Sequence, residues 1–125
     1  MAGNHMIVAG IGCSSRVTLA EMQALLQQMT LGRKLARIVC LEARAPLIAP
    51  LAQVLDLPLL TLPRGALRGI STPTISPRVM DDFGTGSVAE ACALLGAGRA
   101  ARIVVFRARS DMGQATCALA EGDAG

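Results

Sequence analysis

The sequence predicts an α/β fold: a three-layer sandwich in which helices cover both faces of a mainly parallel five-stranded sheet, with the last strand antiparallel. Three observations carry this. Apolar runs of strand length alternate with helical periodicity in the order strand–helix–strand–helix–strand, then helix–strand. Glycines bound the first strand, and capping-box patterns open two of the helices. The last two apolar runs flank Asp111-Met112-Gly113, a turn that brings the final strand back against its predecessor.

Each element has its own signal. Residues 6–11 form a short apolar run that ends in glycine, as a buried strand does. Thr18-Leu19-Ala20-Glu21 places a hydroxyl and a carboxylate where each can satisfy the other's free N–H at a helix start. Leu19, Met22, Leu25, Leu26 and Met29 then recur at helical spacing until Gly32 stops them. Residues 35–41 read as the second strand. Pro46 suits the first turn of a second helix, whose expected stripe is Leu47, Ile48, Leu51, Val54 and Leu55; Pro50 is still near its start. Residues 57–61 form a third strand, with Pro58 confined to its first positions.

From 62 to 86 the periodicity weakens, punctuated by Pro63, Gly65, Gly69, Pro73 and Pro77. One helical turn is expected at 64–67, and Ser76-Pro77 opens a short helix that Gly84 ends. A connection of this length within a compact domain is commonly functional. Ser87-Val88-Ala89-Glu90 repeats the capping pattern, and Val88, Ala91, Cys92 and Leu95 share a face of the helix behind it. Strands at 103–106 and 116–120 complete the domain, assigned to 6–122, with 1–5 an overhang or remnant. Ligands are expected beyond the strands' carboxyl ends, at the switch in strand order. If the fourth strand lies beside the first, residues 84–87 come close to 12–15 only where the intervening loop folds over the same edge.

Composition narrows the function. The chain has 125 residues, about half of them apolar, but only two aromatics, Phe83 and Phe106, and no Trp or Tyr to stack bases, which argues against nucleic acid. The apolar stretch 45–62 is interrupted by three prolines and Asp56, so no membrane span is expected. Cys13, Cys40, Cys92 and Cys117 lack metal spacing, and His5 is the one histidine, so neither a metal nor another cofactor is expected. No signal peptide is evident, and reduced thiols fit a cytoplasmic protein. Eleven of twelve basic residues are Arg, whose rigid fork suits carboxylates, although a codon bias yields the same count. No acid occurs between Asp56 and Asp81, a window that holds Arg64, Arg68 and Arg78.

The candidate site follows from two glycine-bounded turns. Gly12, Cys13, Ser14 and Ser15 follow the first strand, and Thr85, Gly86 and Ser87 open a later helix; helix starts attract anions. Gly10-x-Gly12 departs from a dinucleotide fingerprint at Ser15, and no acid stands at the ribose spacing, so a tight packing turn is the alternative. Thr74, Ser76 and Arg78 offer two hydroxyls and a guanidinium. Ser87 is either a ligand donor or a helix cap, and Glu90 either a capping partner or an acid–base group. Arg107, with Arg109, either reaches the ligand or shields a strand end. Cys92 and Cys117 are expected in the core. No catalytic residue is assigned.

Several motifs together resemble the CobE/CbiG C-terminal-domain family of cobalamin-biosynthesis proteins, most of all its stand-alone CobE form. They are Gly10-Ile11-Gly12-Cys13, Thr74-x-Ser76-x-x-Val79, Gly84-x-x-Ser87-Val88-Ala89-Glu90-Ala91, Ile103-Val104-Val105 and Thr116-x-Ala118-x-Ala120. The resemblance spans 6–120 and implies a Rossmann-like domain engaged in making the corrin ring. It implies the aerobic pathway, where the stand-alone form occurs. The two helix starts, the arginines and the shortage of acid–base groups add the expectation of a protein that binds or carries a corrinoid or precorrin intermediate, with other cobalamin-biosynthesis enzymes as candidate partners. Larger relatives of the anaerobic pathway open a δ-lactone on a cobalt-precorrin; an equivalent hydrolase using Cys13, Ser87 or Glu90 is one alternative, and a structural subunit is another. The sequence departs from the family at Glu42 and Arg44, where many relatives carry a basic–acidic pair, and at Arg107, which replaces a Lys.

Overall fold

A computed structural model describes residues 5–123. The chain forms β1 (Met6–Cys13), α1 (Leu19–Thr30), β2 (Leu35–Leu41), α2 (Ala45–Leu55), β3 (Leu59–Leu62), α3 (Pro77–Phe83), α4 (Val88–Ala97), β4 (Arg102–Arg109) and β5 (Ala115–Gly122). The strands lie in the order β3-β2-β1-β5-β4. β1, β2 and β3 pair in parallel, whereas β5 is antiparallel to both β1 and β4. Four strands therefore point the same way, and only the last opposes them.

The fourth strand does not lie beside the first: β5 separates them. The short β4–β5 turn makes these two strands neighbours, and side-chain character decides which becomes central. β5 offers Ala115, Cys117, Ala118, Leu119 and Ala120, all buried, whereas β4 carries the exposed Arg102, Phe106 and Arg109 of an edge strand.

Each sheet face has its own core. On one side Ala9, Ile11, Ile38, Cys40 and Leu119 pack against Met22, Leu25 and Leu26 of α1 and Ile48 and Leu51 of α2. On the other, Val8, Val39 and Ala120 meet Ala93 and Ala97 of α4. Alternate strand residues thus serve opposite layers. The α2 stripe differs from expectation: Ile48, Leu51 and Ala52 are buried, while Val54 is 56% exposed. Counting three and four residues on from Ile48 reaches Leu51 and Ala52; Val54 falls on the far side.

Small residues draw α4 onto the sheet. A Cβ on Gly10 would lie 2.5 Å from the Ala93 backbone nitrogen and closer still to the Ala89 carbonyl oxygen. Gly10 therefore serves the packing of β1 against α4, not against the helix that follows it in sequence. Among the described residues, no helix is long and apolar enough to cross a membrane.

Candidate functional site

Four strand ends and the start of β5 converge on one rim, where a cleft of about 410 Å³ opens. Gly12 and Cys13 at the end of β1, with Ser14 just beyond, stand in its wall, as do Leu41 at the end of β2 and Arg44 in the turn after it. The long connection between β3 and α4 folds over the same edge, so that α3 contributes Arg78, Val79 and Phe83. Ser76 caps α3 by accepting from the Val79 N–H, and Gly84 ends it in the left-handed region at φ 72°. Val88 at the start of α4, Arg107 and Arg109 of β4, and Gly113, Gln114, Ala115 and Thr116 around the last turn complete the lining.

The two glycine-bounded turns share this rim: a Cβ on Gly12 would come within 3.5 Å of Val88 Cγ1. Their helix starts nevertheless supply less than the sequence suggests. α1 begins beyond the turn at residues 14–18, outside the lining, and Thr18 accepts from the Glu21 N–H at 3.1 Å. Ser87 is buried and accepts from the Glu90 N–H at 3.2 Å. Each cap hydroxyl oxygen is thus already engaged within its own helix.

Neither capping box closes reciprocally; the Glu21 carboxyl turns away to hold a turn, and that of Glu90 to hold a loop and the strand β4. Glu21 accepts from the Ser110 hydroxyl and from the Gln114 N–H, the latter at 2.9 Å, fixing the β4–β5 turn. Glu90, wholly buried, accepts from the Thr74 N–H at 2.9 Å, the Thr74 hydroxyl at 2.8 Å and the Arg107 N–H at 2.9 Å. Ser14 donates its hydroxyl to the Gln114 side chain, and its N–H to the Gln114 carbonyl at 2.9 Å, tying β1 to the same turn.

The expected site residues divide accordingly. Gly12, Cys13, Ser14, Ser76, Arg78 and Arg107 line the cleft, and Ser15 lies exposed just outside it. Thr74, half-buried, and Thr85, Gly86, Ser87 and Glu90, all buried, lie outside the lining. Thr85 is buried and donates its hydroxyl to the Ile70 carbonyl at 2.6 Å. A Cβ on Gly86 would meet Thr72 Oγ1 at 2.6 Å, so that glycine seats the connection against α4. Of the three arginines in the acid-free window, only Arg78 reaches the cleft. Arg64 stacks over the Phe83 ring with its guanidinium carbon 4.1 Å from the centroid, and Arg68 packs beside Gly84.

Arg44, Phe83 and Gln114 were not among the expected site residues. Arg44 had a readable signal, since it lies in the short turn of residues 42–44 beyond the carboxyl end of a parallel strand. Phe83 and Gln114 had none; their place depends on how α3 and the last turn fold back.

The electrostatics are of one sign. Arg44, Arg78, Arg107 and Arg109 all line the cleft, and no Asp or Glu does. The ion pairs among the described residues involve Arg102 and His5, and none of these four arginines. Burial pushes the Cys13 thiol up from its ordinary value, which the Arg44 charge only partly offsets. Cys40 is pushed up to about 11, and Cys92 and Cys117 to about 12, again chiefly by burial. The cleft is thus a cationic surface with Ile11, Leu41, Val79, Phe83 and Val88 as its apolar part.

The sequence profile described as Cobalamin synthesis G C-terminus matches residues 7–120. The chain belongs to this family. It is similar to CobE, a protein from the cobalamin (vitamin B12) biosynthetic pathway, with 28% identity over 94% of this chain and 90% of that one and a TM-score of 0.77. It is also similar to the cobalamin biosynthesis protein chiG from Agrobacterium tumefaciens, with 29% identity over 92% of this chain and 97% of that one and a TM-score of 0.70. A cobalamin biosynthesis protein G homologue from Sulfolobus solfataricus shares the fold, with a TM-score of 0.70 at 18% identity. That comparison covers 93% of this chain but only 36% of the longer one. No curated protein matches the sequence. The cobalamin synthesis G C-terminus family thus accounts for nearly the whole described chain, including every cleft-lining residue.

Proposed function

We propose that this member of a cobalamin-biosynthesis family binds a corrinoid or precorrin intermediate in the rim cleft and carries it without transforming it. The single observation behind this reading is the cleft's lining: four arginines, no carboxylate, and an apolar floor. Corrin precursors present acetate and propionate groups around a largely apolar ring. Guanidinium forks match those carboxylates, while Ile11, Leu41, Val79, Phe83 and Val88 offer the ring edge a surface to leave water. Each exposed charge pair contributes only about 0.2–1 kcal/mol, so affinity arises from several pairs acting together with apolar burial.

Lactone hydrolysis receives less support. It calls for a base beside a nucleophile, and the cleft lining contains neither His nor Asp nor Glu. Ser87 and Glu90 are buried and engaged, and the raised pKa of Cys13 keeps it a thiol at neutral pH. Titration of the purified protein with hydrogenobyrinic acid, followed by tetrapyrrole absorbance and calorimetry, tests the proposal. Saturable binding that weakens as salt rises supports it, and no binding at high micromolar concentration refutes it. Turnover of a lactone-bearing precorrin would favour the hydrolase instead.

A further inference from the structure

Arg78 and Arg107 stand on separate elements, α3 and β4, and one buried side chain bonds to the segment leading into the first and to the backbone of the second. Glu90 lies in the first turn of α4, wholly buried. Oε1 accepts from the Thr74 N–H at 2.9 Å; Oε2 accepts from the Thr74 hydroxyl at 2.8 Å and from the Arg107 N–H at 2.9 Å. Thr74 lies two residues before Ser76, the cap of the helix that carries Arg78. Arg107 belongs to β4 and itself lines the cleft. One carboxyl therefore joins the approach to the Arg78 wall with the backbone of the Arg107 wall.

We propose that Glu90 is the positioning residue of the cleft, setting the spacing between Arg78 and Arg107 without touching the ligand. Its ligand-binding consequence rests on the reading given under Proposed function; the structural part stands without it. The donor count explains why a carboxyl is required. Two of the three donors are backbone N–H groups on opposite oxygens, which cannot turn into acceptors. A glutamine has one acceptor oxygen, so its amide NH2 must face either the Thr74 N–H or the Arg107 N–H. Whichever way it is turned, one backbone donor loses its partner and one wall loses its anchor.

The test combines Glu90→Gln with residue-resolved amide hydrogen exchange and titration with hydrogenobyrinic acid. The expected result is exchange at the Thr74 or Arg107 amide faster by roughly ten-fold or more, while α4 beyond its first turn is unchanged. Affinity for hydrogenobyrinic acid is expected to fall about five-fold or more, although no cleft-lining side chain has been altered. Wild-type exchange at both amides overturns the proposal, as does an equal acceleration throughout the chain, which would mark a merely structural role. Looser amides with unchanged affinity overturn it too.

Should Glu90→Gln fail to fold, Thr74→Val removes only the hydroxyl bond. It is expected to quicken exchange over 74–79 and weaken binding while leaving the Arg107 amide as it was; wild-type behaviour in both refutes the proposal. Thr74→Ser retains every donor and is expected to behave as wild type. If the wild-type protein itself binds no hydrogenobyrinic acid, the carrier reading fails, and the exchange measurements alone decide whether Glu90 positions the walls.

Discussion

Glu90 Oε2 accepts a hydrogen bond from the Arg107 N–H at 2.9 Å, so a wholly buried carboxyl at the start of α4 holds the edge strand β4. With the two bonds from Thr74, Glu90→Ala takes the acceptor from three donors at a wholly buried side chain. The expected loss is about 3 kcal/mol or more, read as a lower urea midpoint. Thr74→Ser keeps the same donors and is expected to cost less than about 1 kcal/mol.

The contact of Gly10 with α4 predicts a second asymmetry. Gly10→Ala drives a methyl group into the backbone at Ala89 and Ala93, which no rotamer change can relieve. The expected cost is on the order of 1–3 kcal/mol or more. Gly65→Ala meets nothing within 4 Å and is expected to lie within about 1 kcal/mol of the parent protein. Parallel thermal unfolding of the two variants checks the contrast.

The buried thiols predict a stability that declines in alkali. An ordinary thiol ionises near 9.0, whereas Cys40 is pushed up to about 11 and Cys92 and Cys117 to about 12. Above pH 9.0 the unfolded chain releases protons that the folded chain retains, which favours unfolding. The thiol contribution is therefore complete below that pH and lost progressively above it. Urea midpoints measured from about pH 7 to about pH 10 are expected to fall at the upper end, and less steeply in Cys117→Ala.

Thiol accessibility separates the same residues. Cys13 is partly exposed at the cleft, whereas Cys40, Cys92 and Cys117 are buried. A maleimide probe is expected to label Cys13 alone in the native protein, slowly for a surface thiol because burial raises its pKa. All four thiols react after unfolding in guanidinium. Bound hydrogenobyrinic acid is expected to protect Cys13.

For the cleft, Arg78→Ala and Arg107→Ala are each expected to weaken hydrogenobyrinic acid binding by roughly two- to five-fold, with unchanged unfolding midpoints. The double variant is expected to show a shallower dependence of affinity on salt. Arg33→Ala, in the connection between α1 and β2 and outside the cleft lining, is expected to bind as the parent does. Calorimetric titrations at two salt concentrations provide the comparison.

Local pattern and composition alone determined the α/β class, the caps at Thr18, Ser76 and Ser87, the stop at Gly84, and the antiparallel last strand. These features depend on residues a few positions apart, so periodicity and capping chemistry reveal them. The motifs from Gly10 to Ala120 also carried the family. Tertiary structure decided the rest. It placed β5 between β1 and β4, because a turn specifies which strands adjoin but not which one becomes central. It turned Glu21 and Glu90 from their own helix ends toward distant parts of the chain, and it brought Arg44, Arg78, Arg107 and Arg109 to one rim. A capping box and a loop staple use the same residue types at the same spacing; only the surrounding chain determines which donors the carboxyl meets.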